Sequence, residues 1–378
     1  MIMKRIGLTL LASLLLFSGV FAQRSIVVSN TTGTDRKAEM VEVKTCKLKA
    51  CFKKNHYILK NNANVEVPYQ LVYNGKKMPQ ALIFPASVKA NASSTYTLVK
   101  GEPATVKAKT SARFVPERKD DFAWENDLAA YRMYGPALAK ENPSNGVDLW
   151  LKRTDELLVD KFYDNDLKHE ISYHVDHGQG LDCYKVAHTL GCGGIAPYAS
   201  DSLWIGNYYN RYKVLENGSL QSVFKLSYDS VKVGNTYFKE EITITTTAGS
   251  MLNKAVVKFT GTKQKMELAA GIFLHDGKGI LRQNITNGTS GYAEEAVSDA
   301  KVPSGHNYIG VFIPAKVNAA KSKGEHALLL STYKVGDTFT YYFGGGWSKW
   351  GYATDEDWFN ALNRFSENVK NPLKVTLK

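Results

Sequence analysis

LQSVFKLSYDSVKVGNTYFKEEITITTT, residues 220–247, decides the fold class. Apolar and polar side chains alternate along it and glycine and asparagine interrupt it, as in the hairpins of an antiparallel sheet. The same texture precedes it in HYILKNNANVEVPYQLVYNGKKMP (56–79) and YTLVKGEPATVKAKTSARF (96–114). It resumes in AVVKFTG (255–261), MELAAGIFL (266–274), YIGVFIPAKV (308–317), HALLLSTYKV (326–335) and TFTYYFGGG (338–346). A long series of strands at this spacing, with few helices, predicts an all-β protein built as a sandwich or a very large stacked sheet.

Two segments read as helix. In FAWENDLAAYRMYGPAL (122–138), Trp124, Leu128, Tyr131 and Tyr134 or Gly135 recur at helical spacing until Pro136 interrupts. Near the end, Thr354 and Asp357 resemble a capping box, and Trp358, Leu362, Phe365 and Val369 form one apolar stripe before Asn371-Pro372 stops it. The terminal PLKVTL then reads as a last strand. The organisation expected is a signal peptide over residues 1–22, a β-sandwich-like region over 23–105 packed on the main body, and a main domain over 106–378 carrying the site.

The first residues carry Lys4 and Arg5, an apolar run from Ile6 to Phe17 and small residues before a cut after Ala22, the pattern of an export signal. That run is too short for a membrane span, so the expected location is the periplasm or outside the cell. The formal net charge of +12 points to an anionic partner, such as a uronic-acid or sulfated glycan, or else serves solubility alone. Nucleic acid is disfavoured, because neither zinc-finger spacing nor a single-strand stacking signature is present. Cys46/Cys51 and Cys183/Cys192 form two local pairs, open to disulfides in an oxidising compartment or to a life as buried thiols.

Between the strand-rich flanks, residues 113–194 crowd Arg, Asp, Glu, His, Trp and Tyr among glycines, a composition suited to a cleft for a polar, ring-shaped ligand such as a sugar. The runs VPERKDDFAWENDLAAYRMYGPAL (115–138), DHGQGLDCYKVAHTLGCGG (176–194) and YYNRYKVLENGSL (208–220), with GGGWSKWGY (344–352), the later Asp357-Trp358 and NPLKV (371–375), resemble the domain-of-unknown-function 4861 family over nearly the whole chain. That resemblance implies a galactose-mutarotase-like supersandwich with a few short helices. It also implies a role in dismantling acidic plant and algal polysaccharides, in the company of hydrolases for unsaturated uronyl sugars.

Eliminating across C4 and C5 of a uronic acid requires a cation for the carboxylate, a base beside C5 and an acid for the group leaving C4. Arg132 and Lys349 are candidates for the first role, His174 and His177 for the base, and Tyr131, Tyr184 or Glu125 for the acid. Trp124 and Trp347 are candidates for stacking on sugar faces. If a strand continues from Ile171, alternation puts His174 and Asp176 on one face, and His177 joins them only through a turn at Gly178. His174, Asp176, His177, Cys183, His188 and Cys192 include enough donors for a divalent metal but match no closed zinc spacing, so no cofactor is required and a metal is possible. The expected function is therefore a dehydratase or lyase on uronate-terminated ulvan or pectin fragments, with an epimerase or mutarotase, or a non-catalytic carbohydrate-binding protein, as the alternatives.

Overall fold

The computed structural model describes residues 24–48, 50, 52, 56–141, 144–206, 208–262 and 264–378; the leader expected over 1–22 lies outside the described residues, as does Cys51. The quoted stretch forms the hairpin Gln221–Val233 with Thr236–Thr247, closed where Val233 faces Thr236 across Gly234, whose φ of 61° suits a tight turn. Its period of two sends Phe238, Ile242 and Ile244 inward, with Glu240 among them.

This hairpin lies in an eight-stranded antiparallel sheet, in the order Arg211–Asn217, Gln221–Val233, Thr236–Thr247, Asn253–Thr260, Phe339–Trp347, Pro303–Phe312, Thr289–Val297, Ile280–Asn284. Two five-stranded sheets share its inner face. One holds Thr110–Val115, Asp121–Asn126, Ala129–Met133, Val147–Lys152 and Gly180–Asp182; the other centres on Cys192–Ala199, Lys265–Phe273 and His326–Lys334. One apolar core joins all three layers, with Trp124, Leu149, Phe224, Ile272, Ile309 and Phe343 among its members. The protein is thus an all-β sandwich.

The helix Asp355–Lys370 covers the outer face of the large sheet and starts in the expected capping box, Thr354 and Asp357 bonding reciprocally. Gly291 and Gly310 let it approach: a Cβ on Gly310 would meet Trp358 at 3.1 Å, and one on Gly291 would meet Leu362 and Phe359 at 3.0 Å. The chain then returns as Lys374–Leu377 to pair with the strand Arg24–Ser29, Ile26 facing Leu377. That pairing completes a four-stranded sheet which, with a three-stranded one, encloses a separate core of Ile26, Val41, Leu59, Phe84, Tyr96 and Leu98. Gln70 ties this smaller sandwich to the larger, its side-chain oxygen accepting from the Leu220 and Gln221 amides at 2.8 Å each.

The helix expected within 122–138 is not there. Asp121–Asn126 and Ala129–Met133 are an antiparallel pair, Trp124 facing Tyr131, and the Asn126 side chain accepts from the Leu128 and Ala129 amides in the turn. Every residue of both strands is buried, one face by the large sheet and the other by the helix Val159–His169. Strands covered on both faces lose the polar-apolar alternation that marks a half-exposed strand, so the chance recurrence of aromatics mimics a helix.

Candidate functional site

The strand Ala129–Met133 aims Arg132 away from the large sheet, into a sealed layer beneath the helix Val159–His169. Its guanidinium reaches Asp148 at 2.7 Å, Asp182 at 2.8 Å and Asp121 at 3.5 Å, and the Tyr173 hydroxyl at 3.2 Å, with the Trp150 ring 5.2 Å away. Three acids thus surround one buried guanidinium. Burial, then the Asp148 charge, pushes Asp182 well above the usual carboxylate range, and burial raises Asp121 as well. Arg132 is 2% exposed and its donors are spent, so it organises the interior and does not meet a substrate carboxylate.

Other expected site residues are sealed in the same way. Glu125 accepts from Lys152 Nζ and from the Leu158 and Val159 amides, all at 2.8 Å, and so caps the Val159–His169 helix while satisfying a buried ammonium. Tyr131 stacks on Trp124 with ring centres 5.5 Å apart, and its hydroxyl accepts from the Gly345 amide at 3.1 Å. The Trp124 indole donates to Asn253. Tyr184 donates to the Phe273 carbonyl at 3.1 Å. None of these four side chains is more than 2% exposed.

His174 has a different setting. Residues 171–179 form a loop and not the continuing strand, and Gly178, at φ 100°, turns the chain there. The Nδ1 of His174 lies 3.0 Å from the Asp182 carbonyl and 3.5 Å from its carboxylate. A carbonyl accepts only, so Nδ1 carries the proton and Nε2 keeps its lone pair. Burial holds His174 below the usual histidine value, so the ring is neutral at pH 7, while its side chain stays 29% exposed. His177 is more exposed and bonds through Nε2 to the Ser172 carbonyl.

A closed circuit of contacts runs from this histidine. The His174 carbonyl accepts from the Asp299 amide at 3.4 Å, Asp299 pairs with Lys185, and the Lys185 carbonyl lies 2.8 Å from His275 Nε2. His275 Nδ1 lies 2.9 Å from Glu294, Asn307 donates to Glu294 at 3.4 Å, and the Cys183 thiol donates to Asn307 at 3.6 Å, beside Asp182 and so back to His174. Both His275 nitrogens face acceptors. Burial opposes its charge, but the Glu294 carboxylate and the Lys185 carbonyl prevail and raise it above the usual histidine value.

Trp347 pairs with Asn307 across the large sheet and donates to the Ser304 carbonyl at 2.6 Å. Its ring is 1% exposed and serves as a floor, with Lys349 Nζ 4.9 Å and the Arg153 guanidinium 5.9 Å from its centre. Nearby, the half-exposed His306 is oriented by Asp355, Nδ1 to carboxylate at 2.6 Å. The structure thus sets Lys349 over Trp347 and links His174 through its circuit to His275, with Tyr184 behind, and leaves Arg132, Glu125, Tyr131 and Trp124 in the interior. Arg153, Lys185, His275, Glu294 and Asn307 join these contacts but were missed in sequence, because contacts across three layers select them and no local pattern does.

Among the described residues no group of three or more His, Cys, Asp or Glu side chains gathers as metal donors. Cys192 is wholly buried in the core and His188 lies on the surface. Cys183 and Cys192 are free thiols, and burial raises both. Among the described residues, too, no helix is long and apolar enough to cross a membrane.

Among curated proteins the chain is similar to "Uncharacterized protein P7" of Formosa agariphila, 30% identical over 312 residues, covering 79% of this chain and 78% of that one. Among solved structures it is similar to a protein in the glycosyl hydrolase family 38 from Enterococcus faecalis, with a TM-score of 0.52 at 10% identity over 94% of this chain. The chain spans about half of that protein, 47%, and the likeness is one of fold. The family model described as Domain of unknown function (DUF4861) matches residues 28–375, and the chain belongs to that family.

Proposed function

We propose that the protein processes carbohydrate, and that it acts on oligosaccharides ending in a uronic acid by removing the proton at C5 and expelling the group at C4. The observation that carries this reading is the His174 imidazole, neutral, fixed by the Asp182 carbonyl with Nε2 unprotonated, and placed in a circuit that includes Lys185 and His275. A neutral oriented imidazole suits a general base, and Lys185, with Arg153 and Lys349 over Trp347, suits the uronate carboxylate. In the elimination the C5 proton passes to Nε2, its electron pair becomes the C4–C5 double bond, and the C4–O bond breaks with protonation of the departing oxygen. When that group is hydroxyl the product has lost one water, and dehydration is the variant we favour. The leader-like first 22 residues favour a setting in the periplasm or outside the cell.

The test is ultraviolet absorbance with product mass on uronate-terminated oligosaccharides from ulvan and pectin. New absorbance with loss of water and no chain cleavage is expected, and His174→Gln lowers its rate by about 100-fold or more. The acid limb of the rate profile falls below the usual histidine value, because the base is active when deprotonated and burial lowers its pKa. Solvent exchange at C5 without absorbance would replace this reading with epimerisation, and binding without either would make the protein a carbohydrate-binding module.

A further inference from the structure

A cavity of about 40 Å³ lies inside the sandwich, between Met133, Val147, Leu190 and Ile195 on one side and Tyr228, Glu240, Ile242 and Tyr341 on the other. Tyr341 and Trp347 are six residues apart on one strand, which puts the Tyr341 end of the cavity ~20 Å from Trp347. The mouth lies at Asn145, Ile195, Ile205 and Gly206, all half-buried.

Three polar groups there have no use within the protein. The Tyr341 hydroxyl, in a residue 0% exposed, has no hydrogen-bond partner among the described residues. Neither has the side-chain oxygen of Asn145, whose orientation is fixed because its amide donates to the Gly206 carbonyl. Glu240, 8% exposed and directly across from Tyr228 in the sheet, accepts no hydrogen bond from a described residue. Its carboxyl is pushed up to about 8 by burial alone, so at pH 7 it is an uncharged acid able both to donate and to accept. Buried polar groups left unpaired are rare, and several converging on one void point to something that occupies it.

The lining selects the occupant. Among the described residues no Lys, Arg or His lines the cavity, so nothing there balances an anion. A single water needs only roughly 10–15 Å³ of such volume, and a sugar ring needs far more than this cavity offers. A CH2OH group fits both conditions: its carbon meets the aliphatic wall, and its hydroxyl accepts from one partner while donating to another.

We propose that this cavity is a second binding site, which takes the primary-alcohol arm of an uncharged sugar or polyol, the hydroxyl bridging Glu240, Tyr341 and Asn145. It is separate in place and charge from the basic circuit around His174, and does not depend on the elimination chemistry there.

Saturation-transfer NMR on the purified protein, with a methyl hexopyranoside and the methyl pentopyranoside that lacks only the CH2OH arm, tests this. Saturation concentrated on the hexoside C6 protons and absent for the pentoside is expected. Tyr341→Phe weakens hexoside binding by about tenfold, the size of one lost hydrogen bond, while the unfolding temperature stays level or rises because the removed hydroxyl had no protein partner. Asn145→Ala, at the mouth, weakens binding in the same direction. Equal saturation of the pentoside overturns the proposal, and so does tighter binding of the matching methyl hexuronoside. An absence of saturation with a lower unfolding temperature for Tyr341→Phe also overturns it, leaving the cavity to internal water only.

Discussion

Replacing Glu240 with glutamine tests the electrostatics of the interior without changing its shape. The carboxyl moves from an ordinary 4.5 to about 8 on folding, and burial is the cause. Below the lower value the acid is protonated in both folded and unfolded chains and costs nothing; between the two, the unfolded chain releases its proton and the folded one retains it. Wild-type stability therefore falls as pH rises through this window and levels off above about pH 8. The accumulated loss is about 5 kcal/mol, with a slope of about 1.4 kcal/mol per pH unit. Glu240→Gln carries no such proton. Urea unfolding of both proteins at a series of pH values from about 5 to 9 gives the difference, in which every other titrating group cancels. The variant is expected to gain on the wild type steadily as pH rises. A difference flat across the window would refute the reasoning, since it would mean that the carboxyl ionises in place with its charge compensated.

Three further outcomes follow from other parts of the structure. Arg132→Met strands Asp121, Asp148 and Asp182 around a missing cation and is expected to cost about 3–5 kcal/mol, read as a large fall in the urea midpoint or failure to fold at neutral pH. Thr354→Ala removes one half of the capping box of the Asp355–Lys370 helix and costs about 1 kcal/mol in the same assay. Cys183 and Cys192, buried and with raised thiols, resist a thiol reagent that labels the exposed Cys46, and react once the protein is unfolded.

The all-β class was readable from residues 220–247 and their counterparts because one face of each such strand is apolar and the other is not, and a period of two needs no tertiary information. The terminal helix was readable for a similar reason: its cap lies within four residues of itself and its stripe faces one neighbour. The same period also places Glu240 on the inward face with Phe238 and Ile242. The hairpin Asp121–Met133 was not readable, since a strand covered on both faces carries no alternation, and its covering helix Val159–His169 is capped by Glu125, a residue far away in the chain.

Residue types for a polar site were evident in the sequence, but their roles were not. Arg132 and Glu125 have the chemistry of a substrate clamp and an acid, and the fold consumes both in sealing buried charges. His174 differs from His177 in being half-buried against Asp182, eight residues on, whose carbonyl faces its Nδ1, while His177 stays exposed. Local sequence determines which side chains face inward, since that depends on a strand's own period. Which buried groups meet partners and which are left to bind something else depends on contacts between distant strands, and the tertiary structure alone decides it.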